Sequence, residues 1–172
     1  MPVYALGDLV PHVDPEAFVH PDATVIGAVV IGPESTIWPQ AVLRGDSSRI
    51  VVGARTSIQD GTVVHTTPGL DTVVGDDCVV GHLAHLEGCT VEDRALIGNG
   101  SIVLHRAVIE SNALVGAGAV VPNDMRVPAY AMALGVPARV REQAVGAGQI
   151  EAMAERYVAK GKWYREEQRR LA

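Results

Sequence analysis

An aliphatic side chain returns every sixth residue through most of this 172-residue chain. It stands at Val19, Val25, Ile31, Ile37 and Leu43, and resumes at Val52, Ile58 and Val64. It resumes again at Val74, Val80 and Leu86, slips by one residue, and continues through Val91, Ile97, Val103, Ile109, Val115 and Val121. A helix repeats at about 3.6 residues and a lone half-buried strand at about 2, so neither explains a period of six. Repetition at a fixed period points to stacked identical units, each burying its apolar side against its neighbours.

With the aliphatic position written as i, glycine often follows at i+1: Gly32, Gly53, Gly75, Gly81, Gly98 and Gly116. Position i+4 is small, as in Ala23, Ser35, Ala41, Ser47, Thr56, Cys78, Thr90 and Ala107. A triangular coil satisfies this pattern. Each hexapeptide makes one short flat side and one corner, and three make a turn of the coil. The aliphatic residue points into the prism, the small residue fits beside it, and glycine is expected to ease the backbone next to the corner. Coils then stack through parallel hydrogen bonds about 4.8 Å apart. The fold expected is all-β, a left-handed parallel β-helix of hexapeptide repeats, its hand taken from that class of solenoid. Aromatic residues are only 4% of the chain, which suits a thin core of aliphatic ladders.

The period breaks at residues 44–51 (RGDSSRIV) and 65–73 (HTTPGLDTV), which are expected as loops. Loops on a rigid scaffold commonly carry function. Beyond residue 140 the repeat ends. Ile150, Met153, Ala154, Tyr157, Val158, Tyr164 and Leu171 then recur at helical spacing, so residues 1–140 are expected to form the β-helix domain and 141–172 a helical segment packed on it. An interruption is expected near Gly161. Residues 139–172 hold eight Lys/Arg against five Asp/Glu, whereas the chain as a whole carries a net charge of −6. A basic tail beside an acidic body is expected to dock on that body, its own or a neighbour's. The acidic balance argues against nucleic acid as a partner, because such affinity comes from neutralising phosphates. No apolar run approaches the ~18 residues of a membrane span. Cys78 and Cys89 form no CxxC, and no signal peptide is recognisable, so the expectation is a cytoplasmic protein with reduced thiols.

Counting sides in threes places the polar residues. His65 and Glu87 both fall at i+1 on the third side of consecutive coils, so they should stack. His82 lies at i+2 on the second side, a corner away, where a neighbouring protomer could bring it to that pair. His85 falls at i+5, at the corner between them. Two histidines and a glutamate form an accepted catalytic zinc set. Taken singly, each is an ordinary surface residue. His105 is expected on the surface above Glu87, and His12 and His20 as structural or exposed residues of the first coil.

At these residues the chain resembles the γ-class carbonic anhydrase-like family of hexapeptide-repeat proteins. The resemblance spans roughly residues 5 to 140. It rests on AVLRGD (41–46), SIQDGTVVH (57–65), VVGH (79–82) and GVPAR (135–139). It implies a homotrimer with zinc (Zn2+) or iron (Fe2+) at the subunit interfaces and CO2/bicarbonate as substrate. It implies His65 as a ligand and His82 as the ligand given across the interface. Arg44 and Asp60 match the family's intersubunit ion pair, Gln59 the residue that positions the reactive water, and Asp46 the acidic residue of the RGD turn. The family's third histidine, however, corresponds to Glu87. Three outcomes stay open: Glu87 ligates, His85 replaces it, or the site is weakened. The family's acidic loop is also missing. The function expected is reversible CO2 hydration or a related hydrolysis. A CoA-dependent hexapeptide acyltransferase and a non-enzymatic trimeric metal-binding scaffold are the alternatives.

Overall fold

The computed structural model describes residues 2–171. They form a left-handed parallel β-solenoid of about 7 turns followed by one C-terminal helix, Gln149–Glu167. The aliphatic i positions are the core. Val25, Ile31, Ile37, Leu43, Ile58, Val64, Val80, Leu86, Ile97, Val103, Ile109, Val115 and Val121 are all inaccessible to solvent. Each stacks on its counterpart one coil away, as in Ile37 on Ile58 and Ile58 on Val80.

Three faces result. The second face runs through Phe18–Val19, Thr36–Ile37, Ser57–Ile58, Val79–Val80, Leu96–Ile97, Leu114–Val115 and Met132–Leu134, closed by the antiparallel strand Arg139–Arg141. The third and first faces share one sheet, because the long strands Thr24–Ile31 and Val42–Val52 continue around the corner between them.

Residues 44–51, expected as a loop, lie inside the strand Val42–Val52. Gly27 pairs with Gly45 and Val29 with Ile50, so residues 46–49 are an insertion pushed outward opposite Ala28. Ser47 is accordingly exposed rather than inside the prism. The slip after Leu86 has a similar effect: the small buried residue there is Cys89, and Thr90 is only half-buried. Burial pushes the thiols of Cys78 and Cys89 up to about 12, so both behave as core side chains and not as nucleophiles.

The glycines at i+1 serve a purpose other than the one expected. They are not at the corners' left-handed positions, which recur at i+3 and are mostly held by other residues, among them Glu34, Gln40, Arg55, Asp77, Leu83, Arg94 and Asn112. The i+1 glycines stand where one coil's backbone touches the next. A Cβ on Gly32 would lie 2.7 Å from the carbonyl carbon and oxygen of Gly53. Buried hydroxyls close the remaining polar contacts between coils: Thr56 donates to the Gly75 carbonyl (2.6 Å) and Thr62 to that of Gly81 (2.9 Å).

The C-terminal helix is continuous through Gly161, contrary to the expected interruption. Gly161 is buried because a Cβ there would sit 2.5 Å from Thr36 Cγ2, so the glycine lets the helix approach the second face. Most of the chain's few aromatic rings gather at this contact. Trp38 lies edge-on to Tyr164 and Tyr157, with centroids 5.0 and 6.0 Å apart, and Phe18 packs beside it. The basic tail does dock on the acidic body. Lys162 Nζ pairs with Glu34 (2.6 Å), and Arg165 donates to the carbonyls of Glu16 and Ala17 (2.8 and 2.7 Å). His20 is buried in the same contact, against Gln168, while His12 is exposed.

Candidate metal centre on the third face

Arg44, His65 and Glu87 occupy matching positions on three successive coils of the third face. The expected stack is present: His65 Nδ1 lies 3.1 Å from Glu87 Oε1. The other ring nitrogen, Nε2, lies 3.0 Å from Asp46 Oδ1, and Arg44 pairs with the second oxygen of Asp46. Asp46 reaches His65 because the 46–49 insertion carries it outward. The insertion is tied to the second break, where Ser48 N–H donates to Thr66 Oγ1 (3.1 Å) and Arg49 N–H to Asp71 Oδ1 (2.8 Å).

Glu87 is the hub of this face. Thr67 donates to Oε1 (2.9 Å), His85 Nε2 is 3.2 Å from Oε2, and His105 Nε2 is 3.7 Å from Oε1 and 3.1 Å from Thr67 Oγ1. His85 therefore stands on the third face, two residues before Glu87 on the same strand, and not at the corner. His105, expected on the surface above Glu87, lies there and joins the cluster. The period placed it above Glu87, but nothing in it showed that Thr67 would bridge them.

The electrostatics follow from these contacts. Burial pushes the Glu87 carboxyl up, but hydrogen bonds from Thr67 and His85 and the charge of His65 outweigh it and hold the group below the ordinary carboxylate range. Asp46 behaves alike: burial raises it, while His65 and Arg44 together lower it further. Both carboxylates thus stabilise the fold in their ionised form. That contribution is complete above their ordinary values of 4.5 and 3.8 and disappears as pH falls through the lowered folded values. In metal-free protein, the melting midpoint is expected to drop between about pH 5 and 3. The drop should be smaller in Glu87→Gln and Asp46→Asn; equal slopes in thermal melts would contradict this account.

His82, Asp60 and Gln59 lie elsewhere. His82 Nδ1 pairs with Asp60 Oδ2 (2.9 Å) at the corner leaving the second face, with both side chains about half exposed. Gln59 is buried on the second face, in hydrogen-bond contact with the Tyr157 hydroxyl of the helix. Arg44 and Asp60, which the resemblance implies as a pair between subunits, have Asp46 and His82 as partners within the chain. Among the described residues, no group of three His, Cys, Asp or Glu side chains is arranged to hold a metal ion.

Comparison with known proteins agrees with this fold and these motifs. Residues 88–123 match the family model described as bacterial transferase hexapeptide (six repeats). The carnitine operon protein CaiE of Escherichia coli is 41% identical over 139 residues, covering 81% of this chain and 71% of that protein. The chain belongs to the γ-class carbonic anhydrase-like family. Gamma carbonic anhydrase 1, mitochondrial, of Arabidopsis thaliana is 45% identical over 138 residues, 77% of this chain. The chain spans about half the length of that relative, 50%. Among solved structures, a Bacillus cereus protein described as an acetyltransferase superposes with a TM-score of 0.93 at 35% identity, covering 96% and 98% of the two chains. A hexapeptide transferase family protein from Anaplasma phagocytophilum gives 0.89 at 36%, covering 95% and 98%.

The donors on this face bear on the metal that the family resemblance implies. Two donors on one tetrahedral ion, each at about 2.0–2.1 Å, stand roughly 3.3 Å apart. The 3.1 Å between His65 Nδ1 and Glu87 Oε1 matches that edge. Both contacts of His65 are hydrogen bonds only while both ring nitrogens carry protons. A cation at Nδ1 would replace one of those protons and leave Asp46 on Nε2, the carboxylate–histidine arrangement that orients metal ligands. The residues fit as half of a site. The chain shows the same arrangement a second time, with Asp60 behind His82 and Nε2 left free of it.

Proposed function

We propose that the chain forms a homotrimer in which zinc or iron(II) sits between His65 and Glu87 of one copy and His82 of the next. The reaction proposed is hydration of CO2 or a related hydrolysis at a carbonyl carbon. The observation that carries this reading is the Asp46–His65–Glu87 row, with a ring nitrogen and a carboxylate oxygen at ligand spacing on one face. Such an ion, when bound, makes water acidic enough to serve as a nucleophile near neutral pH.

The chain's own residues divide the remaining work. Asp46 and Asp60 fix the two imidazoles. Arg44, on the outer side of Asp46, would meet Asp60 of the neighbouring copy and draw the two halves together. Glu87 is the third donor, and His85, held on its far oxygen, orients it. Gln59 stands on the side that gives His82 and would hold the water in place there. The anionic Glu87 would leave less positive charge at the ion than an imidazole would, so CO2 hydration at neutral pH should be slow. A cytoplasmic location belongs to this proposal. Among the described residues, no helix is long and apolar enough to cross a membrane.

The test is metal content per protomer, by elemental mass spectrometry on protein purified without a tag or chelator. Close to one ion per protomer is expected, with occupancy lost in His65→Ala and in His82→Ala. Protein that takes up no zinc or iron even on reconstitution would end the metalloenzyme reading. Turnover that survives complete metal removal would replace it with acyl transfer.

A further inference from the structure

A second feature lies around the corner from the Glu87 hub. Between the C-terminal helix and the second face runs a groove of about 220 Å³. Its walls are apolar: Val79 and Leu96 from the solenoid, and Met153 and the ring of Tyr157 from the helix. Its floor is flat because Gly81 and Gly98 can carry no side chain. A Cβ on Gly81 would stand 2.3 Å from Asn99 Oδ1, and one on Gly98 2.5 Å from the Ala117 nitrogen. At the polar end are Gln59, His82 and Asn99.

The size of the groove constrains its occupant. At ~30 Å³ per water molecule, the space holds roughly seven waters, well beyond the three atoms of CO2. It is smaller than the ~300–1,000 Å³ of sites that enclose drug-sized ligands. Its chemistry constrains the occupant further. No Lys or Arg lines it, and the Asp60 carboxylate stands beside His82, so an anionic acid is disfavoured. Asn99 Oδ1 accepts the His82 backbone N–H (3.1 Å), which leaves the Asn99 amino group to donate to a carbonyl oxygen. An apolar trough ending in an amide donor suits a neutral acyl group.

We infer that this groove binds the short acyl chain of an ester or thioester and delivers its carbonyl to the site at His82. The inference rests on the interfacial site proposed above and names its substrate class. In the hydrolysis, water's oxygen bonds to the acyl carbon and the bond to sulfur or oxygen breaks. The thiol or alcohol leaves with a proton, and the released acid is repelled by Asp60.

The first experiment uses metal-free full-length protein, so that binding is read without turnover. The methionine methyls are labelled with 13C and S-butyryl-N-acetylcysteamine is titrated. A saturable shift of the Met153 methyl is expected, with Met125 unmoved and the shift abolished in Leu96→Trp. Should that variant unfold, Met153→Trp read by saturation transfer to the butyryl methyl gives the same answer. No shift up to the solubility limit, or transfer that persists in the filled groove, would overturn the inference. With metal-loaded protein, kcat/KM for p-nitrophenyl butyrate is expected to exceed that for p-nitrophenyl acetate by about tenfold. A preference for acetate would count against the groove as the acyl site. If the protein binds no metal but the Met153 shift persists, the interfacial reading fails and the acyl site stands.

Discussion

Glu87→His is expected to raise CO2 hydration at pH 7 by about tenfold or more and to move the rising limb of the pH–rate profile downward. An ion held by a carboxylate carries less net positive charge than one held by neutral imidazoles, so it acidifies water less. The substitution also has a cost. Thr67, His85 and His105 all face the Glu87 carboxylate, and one imidazole cannot accept from all of them. Orphaned donors of this kind cost about 1–3 kcal/mol, so the melting point should fall while activity rises. Stopped-flow hydration assays at matched metal content decide the point. An unchanged or lower rate with metal retained would mean that Glu87 is not a ligand.

Gly32→Ala should be the more damaging change to the fold, although it adds one methyl group. The new Cβ would meet Gly53 C and O at 2.7 Å and Ala54 N at 3.0 Å, all backbone atoms of the next coil. Coils about 4.8 Å apart and joined by a continuous hydrogen-bond ladder cannot separate locally. A loss of about 3 kcal/mol is expected, at the upper end for overpacking. Gly100→Asn is the contrast. Gly100 is left-handed at φ 64°, with nothing within 4 Å of the added Cβ. Asparagine already holds that conformation at Asn112, so the change should cost well under about 1 kcal/mol. Urea melts of the two variants measure the difference, and comparable losses would show that backbone conformation rather than coil contact sets the glycine requirement.

These two glycines also show how the chain can be misread. A glycine after many of the core aliphatics looked like corner chemistry, yet the corners tolerate Glu34, Arg55 and Leu83 with positive φ. The reason is spatial: the side chain at i+3 points away from the prism, whereas i+1 faces the next coil. Gly161 misleads in the same way. Helix propensity argues for a break there, but burial of the helix against Thr36 and Phe18 outweighs the roughly 1 kcal/mol that glycine costs.

The candidate site divides along the same line. The stack of His65 on Glu87, and the separation of His82 from both, were legible because they depend only on counting sixes. Asp46 on His65, the Thr67 bridge between Glu87 and His105, and the groove under the helix were not. Asp46 and Thr67 belong to segments where the period lapses, and the helix is joined to the prism by an irregular stretch. By itself, the sequence determined the solenoid, its core ladders and the rows that face one another on each side, because a residue's position in a regular coil is set by its index. The tertiary structure decided where the insertions fold back, what the helix covers and which polar groups meet. Those outcomes depend on contacts between segments far apart in the chain, and no local period encodes them.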